Sequence, residues 1–168
     1  MTNKERSTAI RAEIKKLGYN SRQVSVRSGF CGYSDYTHIT IKDAKANIKE
    51  IEKASKKFQS VDYASATGEI LAGGNTYIHV QYDYDAISKA TEANFEKAES
   101  LVNDIDDYYV LFKDEKKEIV LCKQNELFGI EVFENESKYG SVKVPFCSAD
   151  RMKWTVARMF ATNFAEVA

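Results

Sequence analysis

Apolar residues recur at helical spacing near the amino terminus, where Ile10, Ile14 and Leu17 share one face; this predicts a helix over residues 3–17, stopped by Gly18 at its C′ position. The period then falls to two. Over residues 23–27 the two valines point one way, over 36–42 Ile39 and Ile41 do the same, and a loop at 29–35 joins the stretches into an antiparallel hairpin. Asp43 is placed to N-cap a second helix, in which Ile48, Ile51, Ser55 and Phe58 share a face with lysines opposite. Residues 67–82 hold a Gly-Gly-Asn turn between two β-prone arms and predict a second hairpin. A third helix is expected over 85–102, with Ile87, Thr91, Phe95, Ala98 and Val102 on one side. Beyond a boundary at 103–107, the stretches 108–113, 118–123, 127–133 and 141–146 predict a strand meander with turns at 114–117 and 134–140. Ser148 is then placed to N-cap a last helix packed through Met152, Val156, Met159 and Phe160. Regular βαβ alternation is absent, so the expected class is α+β. The expected arrangement is a helix-hairpin-helix-hairpin-helix unit with an antiparallel sheet over 1–103, followed by a meander and C-terminal helix over 104–168, packed as one compact protein.

Length and composition agree with a folded chain. The 168 residues suit one domain or a small two-lobed protein, and with 43% apolar residues, one proline and eight glycines they exclude disorder and collagen-like structure. Cys31, Cys122 and Cys147 are odd in number and widely spaced, so they read as reduced, mostly buried thiols with no disulfide framework and no metal site. An apolar leader or a run long enough for a membrane span is missing from the pattern, and a cytoplasmic protein with no membrane association and no cofactor is expected.

The net charge of −1 excludes a uniformly polybasic binder, but it is a sum of opposites. Residues 1–60 carry 13 Lys/Arg against 6 Asp/Glu, residues 61–137 carry 6 against 17, and residues 138–168 carry 5 against 2. Solvated helix faces, such as that of Lys45, Lys49, Lys53, Lys56 and Lys57, account for part of this segregation. Two sharper readings remain. Arg22, Arg27 and Lys42 are suited to holding phosphates, while Asp83, Asp85, Asp104, Asp106 and Asp107 are suited to imitating nucleic acid in the basic groove of a partner protein.

Alternation also fixes a second face for the first sheet. With Val24, Val26, Ile39, Ile41, Ile78 and Val80 turned toward the helices, the opposite side carries Gln23, Ser25, Arg27, Tyr36, His38, Thr40, Lys42, Tyr77, His79 and Gln81. Such a face suits bases stacked on Tyr36 and Tyr77 with phosphate on Arg27 and Lys42; an ordinary solvent face, rich in tyrosine and threonine because strands favour them, is the plainer alternative. An enzymatic alternative also exists. His38-Ile39-Thr40 matches the His-x-Thr pattern of two-histidine phosphoesterases, making His38, Thr40 and His79 catalytic candidates, although His79-Val80-Gln81 offers an amide where that pattern has a hydroxyl. Phosphate-loop, Gly-x-Ser-x-Gly and His-Glu-x-x-His spacings do not occur.

The run Leu17-Gly18-Tyr19-Asn20-Ser21-Arg22-Gln23-Val24-Ser25-Val26-Arg27-Ser28, then His38-Ile39-Thr40-Ile41-Lys42-Asp43 and Gly68-Glu69-Ile70-Leu71-Ala72-Gly73-Gly74-Asn75-Thr76, resembles a large polyvalent protein-associated domain. The resemblance covers the first half of the chain and supplies no catalytic residues. It implies a bacteriophage or conjugative-element origin, a bacterial host cell, and a role in countering host defence or handling nucleic acid. The resulting expectation is a small non-enzymatic protein that binds a host defence protein or ribonucleoprotein, such as a restriction or CRISPR nuclease. A nucleic-acid-binding accessory protein, taking RNA or DNA on the basic and aromatic sheet face, is the alternative.

Overall fold

A computed structural model describes residues 1–71, 73–134 and 140–166, and its elements are mixed α and β in two compact units, Met1–Ile87 and Ser88–Ala168. The fold class is α+β.

In the first unit, Thr2 opens α1 (Asn3–Lys16) with a reciprocal capping box: its hydroxyl accepts from the Glu5 backbone while Glu5 accepts from the Thr2 backbone. The helix ends in a Schellman turn, with Gly18 N–H bonded to Lys15 O, Tyr19 N–H to Ile14 O, and Gly18 at a φ of +92°. Strands β1 (Val24–Cys31) and β2 (Ser34–Ile41) pair antiparallel, with Arg27 opposite His38. Helix α2 (Ile48–Lys56) is capped by Asn47, which accepts from the Lys49 and Glu50 backbones. Asp43, expected as that cap, instead closes a turn by accepting from Lys45 N–H and from the Gln23 amide.

The second expected hairpin does not form. Strand β3 (Thr76–Tyr82) instead lies parallel to β2, with Tyr36 opposite Tyr77 and His38 opposite His79, so α2 is the crossover of a βαβ unit and the sheet order is β1-β2-β3. The arm expected before the glycines folds back on residues 62–64 through a bridge between Tyr63 and Ile70. Asn75 explains why: buried to 3% exposure, its side chain accepts from Asp62 N–H and donates to Leu71 O, while its backbone carbonyl accepts from Asp35 N–H. One side of this sheet packs on the two helices through Val24, Val26, Ile39, Ile41 and Ile78 with Ile10, Ile14 and Ile51. Arg6, only 5% exposed, ties α1 to the start of β2 by donating from both terminal nitrogens to Asp35 at 3.1 Å.

In place of one long third helix there are two, α3 (Tyr84–Glu92) and α4 (Phe95–Asp104), broken where the Asn94 side chain turns back to donate to Ala90 O. The division of the chain falls within α3, earlier than the expected boundary at 103–107, because Ala98 and Val102 of α4 belong to the second core. There β4 (Tyr108–Lys113), β5 (Lys117–Gln124), β6 (Leu127–Glu134) and β7 (Ser141–Cys147) form one sheet in chain order, each antiparallel to the next. Residues 135–139 of the turn expected at 134–140 lie outside the described residues. Ile119, Leu121, Ile130 and Val132 face Met152 and Val156 of α5 (Ala149–Ala161). Ser148 holds the N-cap position of α5 with extended backbone but makes no side-chain capping bond. None of the described helices is long and apolar enough to cross a membrane.

Candidate functional site

The uncovered side of the first sheet is built by register. Ser25, Thr40 and Gln81 form one row across β1, β2 and β3, Arg27, His38 and His79 the next, and Gly29, Tyr36 and Tyr77 the third. Arg27, His38, Tyr77, His79 and Gln81 are exposed, and none of these nine residues is a carboxylate. The one acid on β2, Asp35, has the opposite parity and is held by Arg6 and Asn3. Alternation therefore sorts the charges: the buried parity takes the paired acid, and the open parity takes Arg27, which has no ion-pair partner among the described residues.

Aromatic contacts run obliquely across this face. The Tyr36 and His38 ring centroids are 5.2 Å apart at 64°, and those of His38 and His79 are 5.7 Å apart at 73°, both edge to face. His79 is oriented from its far side, where Nε2 donates to the Gln81 side-chain oxygen at 2.9 Å. Tyr36 depends on the glycine opposite it. A Cβ on Gly29 would collide with the Tyr36 phenol and reach Cε1 at 3.0 Å, so the ring occupies the place a side chain on β1 would take.

Both histidines, Arg27 and both tyrosines expected on one face are thus together. Lys42 is exposed one residue past β2, and Gln23 has turned away to Asp43. Arg22 lies in the turn before β1, outside the three rows. Beyond the rows, the tip of the β1–β2 hairpin exposes Phe30 and Tyr33, and Tyr33 O accepts from Gly74 N–H. The tip read as a loop in the sequence, where nothing distinguishes an aromatic side chain that is exposed from one that is buried. Cys31, expected among mostly buried thiols, is exposed there; Cys122 and Cys147 are half-buried, and burial, followed by the charges of Glu131 and Asp107, pushes the Cys122 thiol up from its ordinary range.

Chemically the face offers aromatic rings, imidazoles and a guanidinium. His38 and His79 stand edge to face, and one imidazole nitrogen of His79 is bonded to Gln81. Among the described residues no group of three or more His, Cys, Asp or Glu is arranged to hold a metal ion.

The acidic candidates are divided. Asp83 accepts from Ala86 N–H, which makes it the cap of α3, and it lies with Asp85 in the first unit. Asp104, which accepts from Ser100 Oγ at 3.1 Å, lies with the exposed Asp106 and Asp107 in the second.

Compared with known proteins, the chain matches no family model, no curated protein and no solved structure.

Proposed function

We propose that this is a small nucleic-acid-binding protein whose working surface is the open face of β1–β3. The observation that carries the reading is the ordered pair of rows, cationic Arg27-His38-His79 beside aromatic Gly29-Tyr36-Tyr77, with no carboxylate among them. Stacking is worth about 1–3 kcal/mol per base and needs unpaired bases, so the aromatic row favours a single strand over a duplex. Arg27, with Lys42 at the end of the same strand parity, supplies the contacts to the phosphates. Fluorescence anisotropy with a labelled 12-nucleotide oligouridylate and a matched duplex, over a salt series, tests this. Salt-dependent binding that prefers the single strand is expected; no binding at low salt ends the reading.

A second reading keeps the protein as a phage or mobile-element inhibitor of a restriction or CRISPR nuclease. It draws on the family resemblance and on the exposed acids at Asp104, Asp106 and Asp107, which lie within four positions of one another. Co-purification with a nuclease, weakened by charge reversal at those three residues and unaffected by Arg27→Glu, is its expected signature. A tagged protein that retrieves no defence component from its host overturns it.

A further inference from the structure

The two sheets have four outer edges, and three are visibly blunted. Residues 59 and 60 cover the start of β3, where Ser60 bridges Thr76 and the Gln59 side chain accepts from Ile78 N–H. The register of β4 shifts between Val110 and Phe112, and β7 contains Pro145 opposite a β6 register that shifts twice. β1 differs from all of these. Its pairing with β2 runs without a shift from Val24 to Cys31, and it contains no proline. Lys42 N–H bonds Gln23 O, so the odd positions of β1 face β2 and the even ones face outward. Among the described residues, no backbone pairs with that outer edge from Val26 to Phe30.

Beside the edge, on the helix side of the sheet, lies a groove of about 310 Å³ lined by Arg11, Ile14, Lys15, Tyr19, Val24 and Val26. Its floor is apolar. Its charged residues are both cations, and neither has a carboxylate within 4.0 Å among the described residues. Arg11 donates to Val26 O, satisfying one outward carbonyl, and keeps further N–H donors.

We infer that β1 accepts an extended segment of a partner protein as a fourth strand, with an apolar side chain in the groove and Asp or Glu two positions to either side of it. An added strand takes its main-chain bonds from the even positions of β1, and its alternate side chains point into the groove. The charges choose the occupant: a second copy paired through β1 would set Arg11 and Lys15 against the same cations, whereas an acidic segment neutralises them. This surface is on the other side of the sheet from Arg27 and His38, so it stands or falls separately from the nucleic-acid face.

A random heptapeptide library displayed on phage, selected on the full chain, is the probe. The expected winners alternate, with a central apolar residue flanked at both second neighbours by Asp or Glu. Two exposed ion pairs together are worth about fivefold in affinity, so the Arg11→Glu, Lys15→Glu double variant should weaken these peptides by about that factor and prefer versions with Lys in place of the acids. Phe30→Pro should abolish binding, since position 30 faces outward and proline there removes no bond to β2. Hydrogen exchange of the wild-type complex, which does not depend on either variant folding, should show Val26, Ser28 and Phe30 amides newly protected. No enrichment, winners without acids, protection elsewhere, or protection that grows with protein concentration alone would each overturn the inference, the last in favour of a homodimer.

Discussion

The two sheets are built on one plan and finished differently. Each is covered by helices on one side, through Ile10, Ile14 and Ile51 in the first unit and through Val102, Met152 and Val156 in the second. On the far side of the first sheet stand Arg27, His38, His79, Tyr36 and Tyr77 without an acid. On the far side of the second, Val120 and Cys122 of β5 lie beside Glu131 of β6, and Phe146 of β7 closes over Gly129. A ring laid over a glycine is common to both sheets, Tyr36 over Gly29 and Phe146 over Gly129, but a carboxylate at the centre of a sheet face repels phosphate, and only the second sheet has one there. What separates the two outer faces is therefore which parity carries the acids, a property that neither fold class nor net charge reports.

The largest expected effect breaks the mounting of the first face. Asp35→Ala leaves the Arg6 guanidinium buried without its partner and should cost the first unit about 2–3 kcal/mol, measured by urea-dependent hydrogen exchange at Ile10 and Ile39. The ion pair between Lys153 and Glu99 in the second unit is the contrast: Glu99 is 44% exposed, and Glu99→Ala should cost less than about 1 kcal/mol.

Next comes the chemistry of the two faces. Tyr36→Ala and Tyr77→Ala should each lower oligouridylate affinity by about 1–2 kcal/mol in the anisotropy titration, while Tyr108→Ala on the exposed edge of the second sheet should change nothing. Equal losses at both places would erase the distinction between the sheets. A finer effect is expected from Arg27→Gln, which should flatten the salt dependence by about one phosphate contact, a slope change of roughly 0.7.

The smallest effect concerns acid. Hydrogen bonds from Lys16 and Lys57 hold the Glu13 carboxyl down at about 2, against an ordinary 4.5. Because the folded value is the lower one, this contribution is present above pH 4.5 and is lost as the pH falls toward 2. Glu13→Gln should therefore flatten the acid limb of the first unit's stability curve, followed by circular dichroism.

Local pattern carried the sequence a long way. The capping chemistry around Gly18, the alternation in β1 and β2 and the four strands of the second sheet are all determined by neighbours within a few positions. The open face was legible for the same reason, since parity along a strand is a local property. What failed was non-local. Asp43 and Asn47 are both competent helix caps; the chain uses Asn47, with Ala44 and Ala46 buried in the turn between them. The Gly-Gly-Asn segment turns as expected, but Asn75 uses its amide to hold residues 62 and 71, so the arm before it has a different partner. No spacing rule announces that Gly29 makes room for Tyr36, because the two meet only across strands.

The parallel pairing of β2 and β3 also has a bearing on time. His38 and His79 lie 41 positions apart, whereas Arg27 meets His38 across a short hairpin. Loop closure over the longer separation is entropically dearer and slower, so Arg27, Tyr36 and His38 can come together early while Tyr77 and His79 arrive only with β3. The face is consequently a record of completed folding: a growing chain that has not yet delivered residue 82 displays half of it, and both tyrosines share one face only when the last strand docks.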